Sequence, residues 1–178
     1  ITSALGFVLS AVEHTWTLGS LAIAAIGSSI GVAMTAAGAN SLNQAIERDR
    51  DAVMQRTAKR PLPESRVTTR QVVTLGIALS VIGTALLWLV SGPAPAVLAA
   101  ACILVYVFAY TPMKLLTPAS TLVGTIPGAI PPMIGWSAAA GGGFESALSL
   151  GSLSLYALMT VWQIPHFFAI AWMYRDDY

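Results

Sequence analysis

The feature that most constrains this chain is a series of long apolar runs, set off only by short polar or Gly/Pro punctuation, at residues 1–12, 18–46, 72–91, 95–110, 118–138 and 147–173. A helix needs roughly 20 such residues to cross the hydrocarbon core of a bilayer. In hydrocarbon, each backbone N–H and C=O must be satisfied within its own segment unless strands close into a barrel. The runs lack the alternation of strands, so they predict helices. The chain therefore reads as an all-α, polytopic transmembrane bundle, one domain over residues 1–178. The first run is too short to span, the fourth is short, and Tyr178 follows directly on Arg175, Asp176 and Asp177. The expectation is a piece of a longer bundle, incomplete at both ends.

Only 10% of the residues are charged, and the cations are very unevenly placed. Seven of the nine Lys and Arg (Arg48, Arg50, Arg56, Lys59, Arg60, Arg66 and Arg70) lie between the second and third runs. Lys114 follows the fourth run and Arg175 the sixth, while the loops near His14, near Gly92 and across 138–147 carry none. With six crossings, every positive loop falls on one side, which the positive-inside tendency makes cytoplasmic. A net charge of +1 gives no imbalance pointing to nucleic acid. The single Cys102 supports neither a disulfide framework nor a metal-binding spacing.

The charge concentrates in "NQAIERDRDAVMQRTAKRPLP", residues 43–63. On one helix Asn43, Glu47 and Asp51 stand at about 0°, 40° and 80°, a single polar edge with Asn40 beside it and Asp49 pointing elsewhere. Two carboxylates and an amide oxygen suit Mg²⁺, which is usually held by one or two carboxylates together with substrate phosphate oxygens. Arg56, Lys59 and Arg60 follow at once, and guanidinium forks match phosphate oxygens. A diphosphate held through metal is the ligand these groups jointly favour. A helix simply emerging into water also becomes charged, with surface pairs of little energetic value. Pro61 and Pro63 end any helix and stiffen the loop, as a clamp or as a plain connector.

The sixth run carries Gln163, His166, Ile170, Met173 and Asp177 at helical spacing, with His166 and Asp177 only about 20° apart around the axis. Polar groups within a span are costly and mark functional sites by default, although His166 equally suits a helix–helix hydrogen bond. Asp177 is the better candidate for a second metal ligand than Asp176, which lies about 80–100° off that stripe. In "YTPMK", Tyr110 and Lys114 are four apart, and Lys114 either anchors the helix end by snorkelling or reaches the anion. The fifth run holds Gly124 and Gly128 at close-packing spacing with Pro127, Pro131 and Pro132, consistent with tight packing and a kink, or with a widened pocket.

These stretches, with "GAIPPMIGW" and "WQIPHFFAIAWMYRDDY", occur in an order that resembles the UbiA superfamily of intramembrane prenyltransferases, in its heme-prenylating branch. The resemblance covers almost the whole chain. It implies a nine-helix bundle, of which this chain would carry the first six, with acidic motifs on helices two and six. It further implies farnesyl diphosphate and heme B as substrates, Mg²⁺ as cofactor, and a multi-pass location in the bacterial inner membrane with both acidic motifs cytoplasmic. Association with heme A synthase or terminal oxidase assembly is part of the same expectation. Asn43, Glu47, Asp51 and Lys114 become the catalytic group, and Glu47, Asp51, Asp177 or Asp176 the metal ligands. Arg56, Lys59, Arg60 and Lys114 bind diphosphate; His166, Gln163, Trp136 and Tyr110 face the acceptor, with Trp162, Phe167 and Phe168 as further walls. Many members carry Asp where this chain has Glu47, which moves the carboxylate outward by a methylene but keeps its charge. A transporter would instead place ionisable groups near mid-bilayer on broken helices in repeated halves, and a noncatalytic heme-handling protein leaves the phosphate-type clamp unexplained.

Overall fold

The computed structural model describes residues 1–114, 116–117 and 120–173. Its helices are α1 (Thr2–Ala11), α2 (Leu18–Ile46), α3 (Arg48–Asp51), α4 (Thr69–Ser91), α5 (Pro93–Leu104), α6 (Thr111–Met113), α7 (Ser120–Ala139), α8 (Phe144–Ala147) and α9 (Leu150–Met173). A π-helical turn, Val105–Tyr110, joins α5 to α6. Among the described residues there is no strand, and four helical stretches are long and apolar enough to cross a membrane: Leu18–Ile46, Thr69–Ser91, Pro93–Met113 and Leu150–Met173.

The second run forms a helix with the expected bounds because Thr17 caps it, its hydroxyl accepting from the Ser20 N–H. At 29 residues, α2 is about 44 Å long, so an end carrying Asn40 and Asn43 outreaches an apolar slab of about 30 Å. α4 begins three residues before the third run, at a reciprocal capping box between Thr68 and Gln71. It stops at Gly92, whose φ of +95° suits glycine.

Glycines set how closely α2 and α4 approach. A Cβ added to Gly38 would lie 2.8 Å from the Gly76 carbonyl oxygen, and one on Gly83 would lie 2.9 Å from that of Gly31. The two pairs sit seven residues apart on each helix and run in opposite directions, so they lock one antiparallel register. That register brings the start of α4 to the charged end of α2.

α7 is the central helix, with fourteen of its twenty residues buried. Leu87, Ala96, Ala99, Ile130 and Ile134 form the core between α4, α5 and α7. α1 lies against α7 with backbones nearly touching, since a Cβ on Gly135 would fall 1.8 Å from Ser3 O. Outward, Ile23, Leu75, Trp88 and Phe108 are exposed, as for helices facing lipid tails.

The prolines of α7 do not break it. Pro131 and Pro132 cannot donate to the carbonyls four residues back, at Pro127 and Gly128. Neighbouring helices supply the donors: Cys102 Sγ to Pro127 O at 3.3 Å and Gln163 Nε2 to Gly128 O at 3.3 Å. The expected interruption of hydrogen bonding is thus repaired by side chains from α5 and α9, and α7 stays helical.

Candidate functional site at the charged end of the bundle

Local helical geometry runs from α2 into α3 with a break at Glu47. Glu47 N–H donates to Asn43 O at 2.9 Å and Asp51 N–H to Glu47 O at 2.8 Å. Glu47 itself leaves the helical region, with φ −89° and ψ 6°. The expected continuous polar edge is therefore divided into two ion-paired clusters.

The first cluster centres on Glu47. Lys114 Nζ lies 3.0 Å from its Oε1 and 3.3 Å from its Oε2, and Asn43 Nδ2 donates to Oε2 at 2.9 Å. The Glu47 side chain is 14% exposed. Lys114 also stands over the Tyr110 ring, 4.6 Å from its centroid, a cation–π contact that helps hold the ammonium in place. Asn43 is buried, and its Nδ2 makes a second bond, 3.0 Å to the hydroxyl of Thr111. Thr111, 1% exposed, passes its own proton to Tyr106 O at 2.8 Å.

The second cluster holds Asp51, which is buried, with Arg60 NH1 at 2.6 Å from its Oδ2. The loop after α3 folds back to make this pair. Thr57, buried, bonds the Asp51 carbonyl at 3.0 Å, and successive turns through Pro61, Leu62 and Ser65 seat Leu62 inside. Pro61 and Pro63 thus belong to a compact, turn-rich segment. Asp49 points outward, as the spacing requires, and pairs with Arg48 at 3.0 Å. Arg56 and Lys59 are exposed on the rim.

Lys114 and Arg60, expected on a diphosphate, are thus each held by a carboxylate expected on a metal. Among the described residues no group of three or more His, Cys, Asp or Glu is close enough to hold a metal. The expected ligands Asp176 and Asp177 lie outside the described residues. The Glu47 and Asp51 carboxylates and Asn43 Oδ1 are hard oxygen donors. They fit Mg²⁺, which takes one or two protein carboxylates and completes its shell with phosphate and water.

The acceptor-side residues separate. Tyr110 sits on Gly124, where a Cβ would lie 2.7 Å from its ring, and its ring is 6.4 Å from that of Phe167 and 5.6 Å from that of Tyr106. His166 is exposed and stacks on Trp162 at 4.6 Å, with Phe167 tilted at 6.0 Å. Gln163 turns inward instead, its amide spent on Gly128 O. The single polar wall expected of α9 is therefore split between a buried Gln163 and an exposed His166. Trp136 is buried and packs over Gly151, where a Cβ would lie 2.3 Å from its ring. It stands about 18 Å along α7 from Gly124, away from the charged end.

Sequence reasoning missed Thr111. The available signal was Pro112: it removes an N–H where the helix widens, and the threonine just before it carries a hydroxyl that can bond a backbone carbonyl of the preceding turn. Asn40, which takes the Tyr106 hydroxyl at 3.4 Å, extends the same network.

Fold and site together define a polytopic integral membrane protein whose ion pairs, among the described residues, gather at one end of an apolar helix bundle. The chain belongs to the UbiA prenyltransferase family, whose pattern matches residues 1–178. It is 47% identical over 149 residues to a protein named protoheme IX farnesyltransferase from Solibacter usitatus (strain Ellin6076), covering 84% of this chain and 49% of that one. A protein of the same name from Anaeromyxobacter sp. (strain Fw109-5) is 41% identical over 178 residues, 100% of this chain and 56% of the relative. The chain thus spans about half the length of these curated relatives. Its fold is similar to that described as the apo structure of a UbiA homolog from Aeropyrum pernix K1, with a TM-score of 0.67 and 24% identity over 97% of this chain and 61% of that one.

Proposed function

We propose that this chain forms the diphosphate-binding part of a Mg²⁺-dependent transferase that moves the farnesyl group of farnesyl diphosphate onto a vinyl group of heme B, giving heme O. The observation that carries the reading is the meeting of Glu47, Lys114, Asn43 and the Asp51–Arg60 pair at one end of an apolar bundle. The names of the relatives supply the prenyl donor and the acceptor.

When bound, Mg²⁺ would neutralise charge developing on the leaving diphosphate. Glu47, Asp51 and Asn43 Oδ1 are the groups that would hold it. Lys114 and Arg60 place fixed positive charge beside the same oxygens, and fixed charge in a water-poor site favours the transition state over the bound substrate. Arg56 and Lys59 add positive charge at the exposed rim. The C–O bond of the diphosphate breaks, a C–C bond forms from the farnesyl carbon to the vinyl group, and water adds to the resulting cation with loss of a proton. The rings of Tyr110, Phe167, His166 and Trp162 lead away from Lys114 and offer apolar walls that restrict water until capture. By the loop charges the diphosphate end faces the cytoplasm of a bacterial inner membrane, and heme A synthase or terminal oxidase assembly is the expected recipient of product.

The test uses the full-length protein in detergent with heme B, farnesyl diphosphate and Mg²⁺, reading pigment mass by chromatography and mass spectrometry, with an EDTA control. A metal-dependent heme O mass supports the reading. Unmodified heme alongside prenylation of another aromatic acceptor would move the acceptor; no prenylation by folded protein would remove the enzyme.

A further inference from the structure

We propose that Thr111 is a positioning residue, which latches the Asn43 amide so that its carbonyl oxygen stays available as an acceptor in the diphosphate–metal site. The inference rests on the function proposed above and concerns a residue to which that function gives no role.

Proton direction fixes how the three side chains are arranged. Tyr106 O is a carbonyl and can only accept, so the Thr111 hydroxyl spends its single proton there, at 2.8 Å. That hydroxyl must therefore accept from Asn43, at 3.0 Å. The Glu47 carboxylate also accepts from Asn43, at 2.9 Å. Both neighbours thus demand the NH₂ side of the amide, and its two protons are used. Oδ1 is the polar atom of Asn43 left without a partner among the described residues.

The π-helical turn makes Thr111 able to do this. Thr111 N–H reaches back five residues to Tyr106 O, so hydroxyl and amide of one residue share one carbonyl and fix the side chain at 1% exposure. Pro112 has no N–H, which suits the widened turn. Of the two partners holding the Asn43 amide, Glu47 is the one a metal would compete for. Thr111 cannot be drawn away, because its proton is committed to backbone. It therefore keeps the amide oriented while Glu47 changes partners, and it ties the segment bearing Tyr110 and Lys114 to α2.

The test uses the full-length protein and reads Mn²⁺ affinity by electron paramagnetic resonance with unreactive farnesyl thiodiphosphate bound, alongside kcat and acceptor KM. Thr111→Val removes the hydroxyl at near-constant shape, and should weaken Mn²⁺ about tenfold, the scale of one lost polar partner. It should lower kcat while leaving acceptor KM unchanged. Thr111→Ser keeps the hydroxyl and should stay within about twofold of the unaltered protein. Unchanged Mn²⁺ affinity in folded Thr111→Val, or equal impairment in Thr111→Ser, overturns the latch and leaves the proposed function standing. Metal-independent transfer by the unaltered protein overturns both, and is seen before any variant is made. Should Thr111→Val not fold, ¹⁵N-asparagine labelling of the unaltered protein decides. The Asn43 Nδ2 proton held by Thr111 should exchange slowly and remain protected after metal is added, while the one held by Glu47 loses protection; rapid exchange of both overturns the latch.

Discussion

The Asp51–Arg60 pair should separate stability from activity, because its two members are unequally buried. The side chain of Asp51 is 4% exposed and that of Arg60 is 34% exposed, at 2.6 Å. Replacing Arg60 by Met leaves a carboxylate in the interior without its counter-ion. Breaking a buried pair costs about 3–5 kcal/mol, and the access of Arg60 to water places this case near about 3 kcal/mol. Asp51→Asn retains an acceptor oxygen for Arg60, which can also turn to solvent, so it should cost only about 1 kcal/mol. At about 2–4 °C per kcal/mol for a domain of this size, Arg60→Met should lower the apparent melting point by about 6–12 °C and Asp51→Asn by about 2–4 °C. Activity should run in the opposite order. Asp51→Asn removes a carboxylate proposed for the metal and should nearly abolish turnover while leaving heme retention largely intact, whereas Arg60→Met removes one of several cations. Tryptophan fluorescence melts in detergent and heme O assays on the same preparations measure both. Equal melting losses, or a greater loss for Asp51→Asn, would refute the argument from unequal burial; unchanged turnover in Asp51→Asn would refute the metal assignment.

Other substitutions test neighbouring parts of the account. Lys114→Met should reduce turnover about 100-fold or more, the scale of losing one preorganised charge donor, with Lys114→Arg partly restoring it in a steady-state assay. Gln163→Leu leaves Gly128 O without its side-chain donor and should destabilise by about 1–3 kcal/mol; Cys102→Ala removes a weaker thiol donor and should cost less in the same melts. Gly135→Ala should prevent normal α1–α7 packing, because its Cβ would fall 1.8 Å from Ser3 O. Gly19→Ala, with nothing within 4 Å, should stabilise α2 by up to about 1 kcal/mol, both read as yield and melting point of folded protein.

The apolar runs were legible because hydrocarbon leaves helices little alternative, and the run at 18–46 gave the bounds of α2. Boundaries shifted at both ends of the bundle: the Thr68–Gln71 box starts α4 early, and the break after α8 moves the start of the sixth run's helix from 147 to 150. The gathering of Asn43 and Glu47 was readable from helical spacing alone. The partners were not, since Lys114 lies 67 residues from Glu47 and spacing says nothing across that distance. The same holds for Thr111, and for Gln163, whose inward turn depends on a carbonyl freed by a proline on another helix. Trp136 reads as an acceptor wall in sequence, and only packing shows it against Gly151.

The most direct test of the central claim is the position of a bound metal in the full-length protein. Crystals grown with Mn²⁺ and farnesyl thiodiphosphate would locate the ion by its anomalous signal. The predicted peak lies beside Glu47, Asp51 and Asn43 Oδ1, with diphosphate oxygens within reach of Lys114 and Arg60. A diphosphate bound away from these residues, or an ion ligated elsewhere while both ion pairs stay closed, would contradict it.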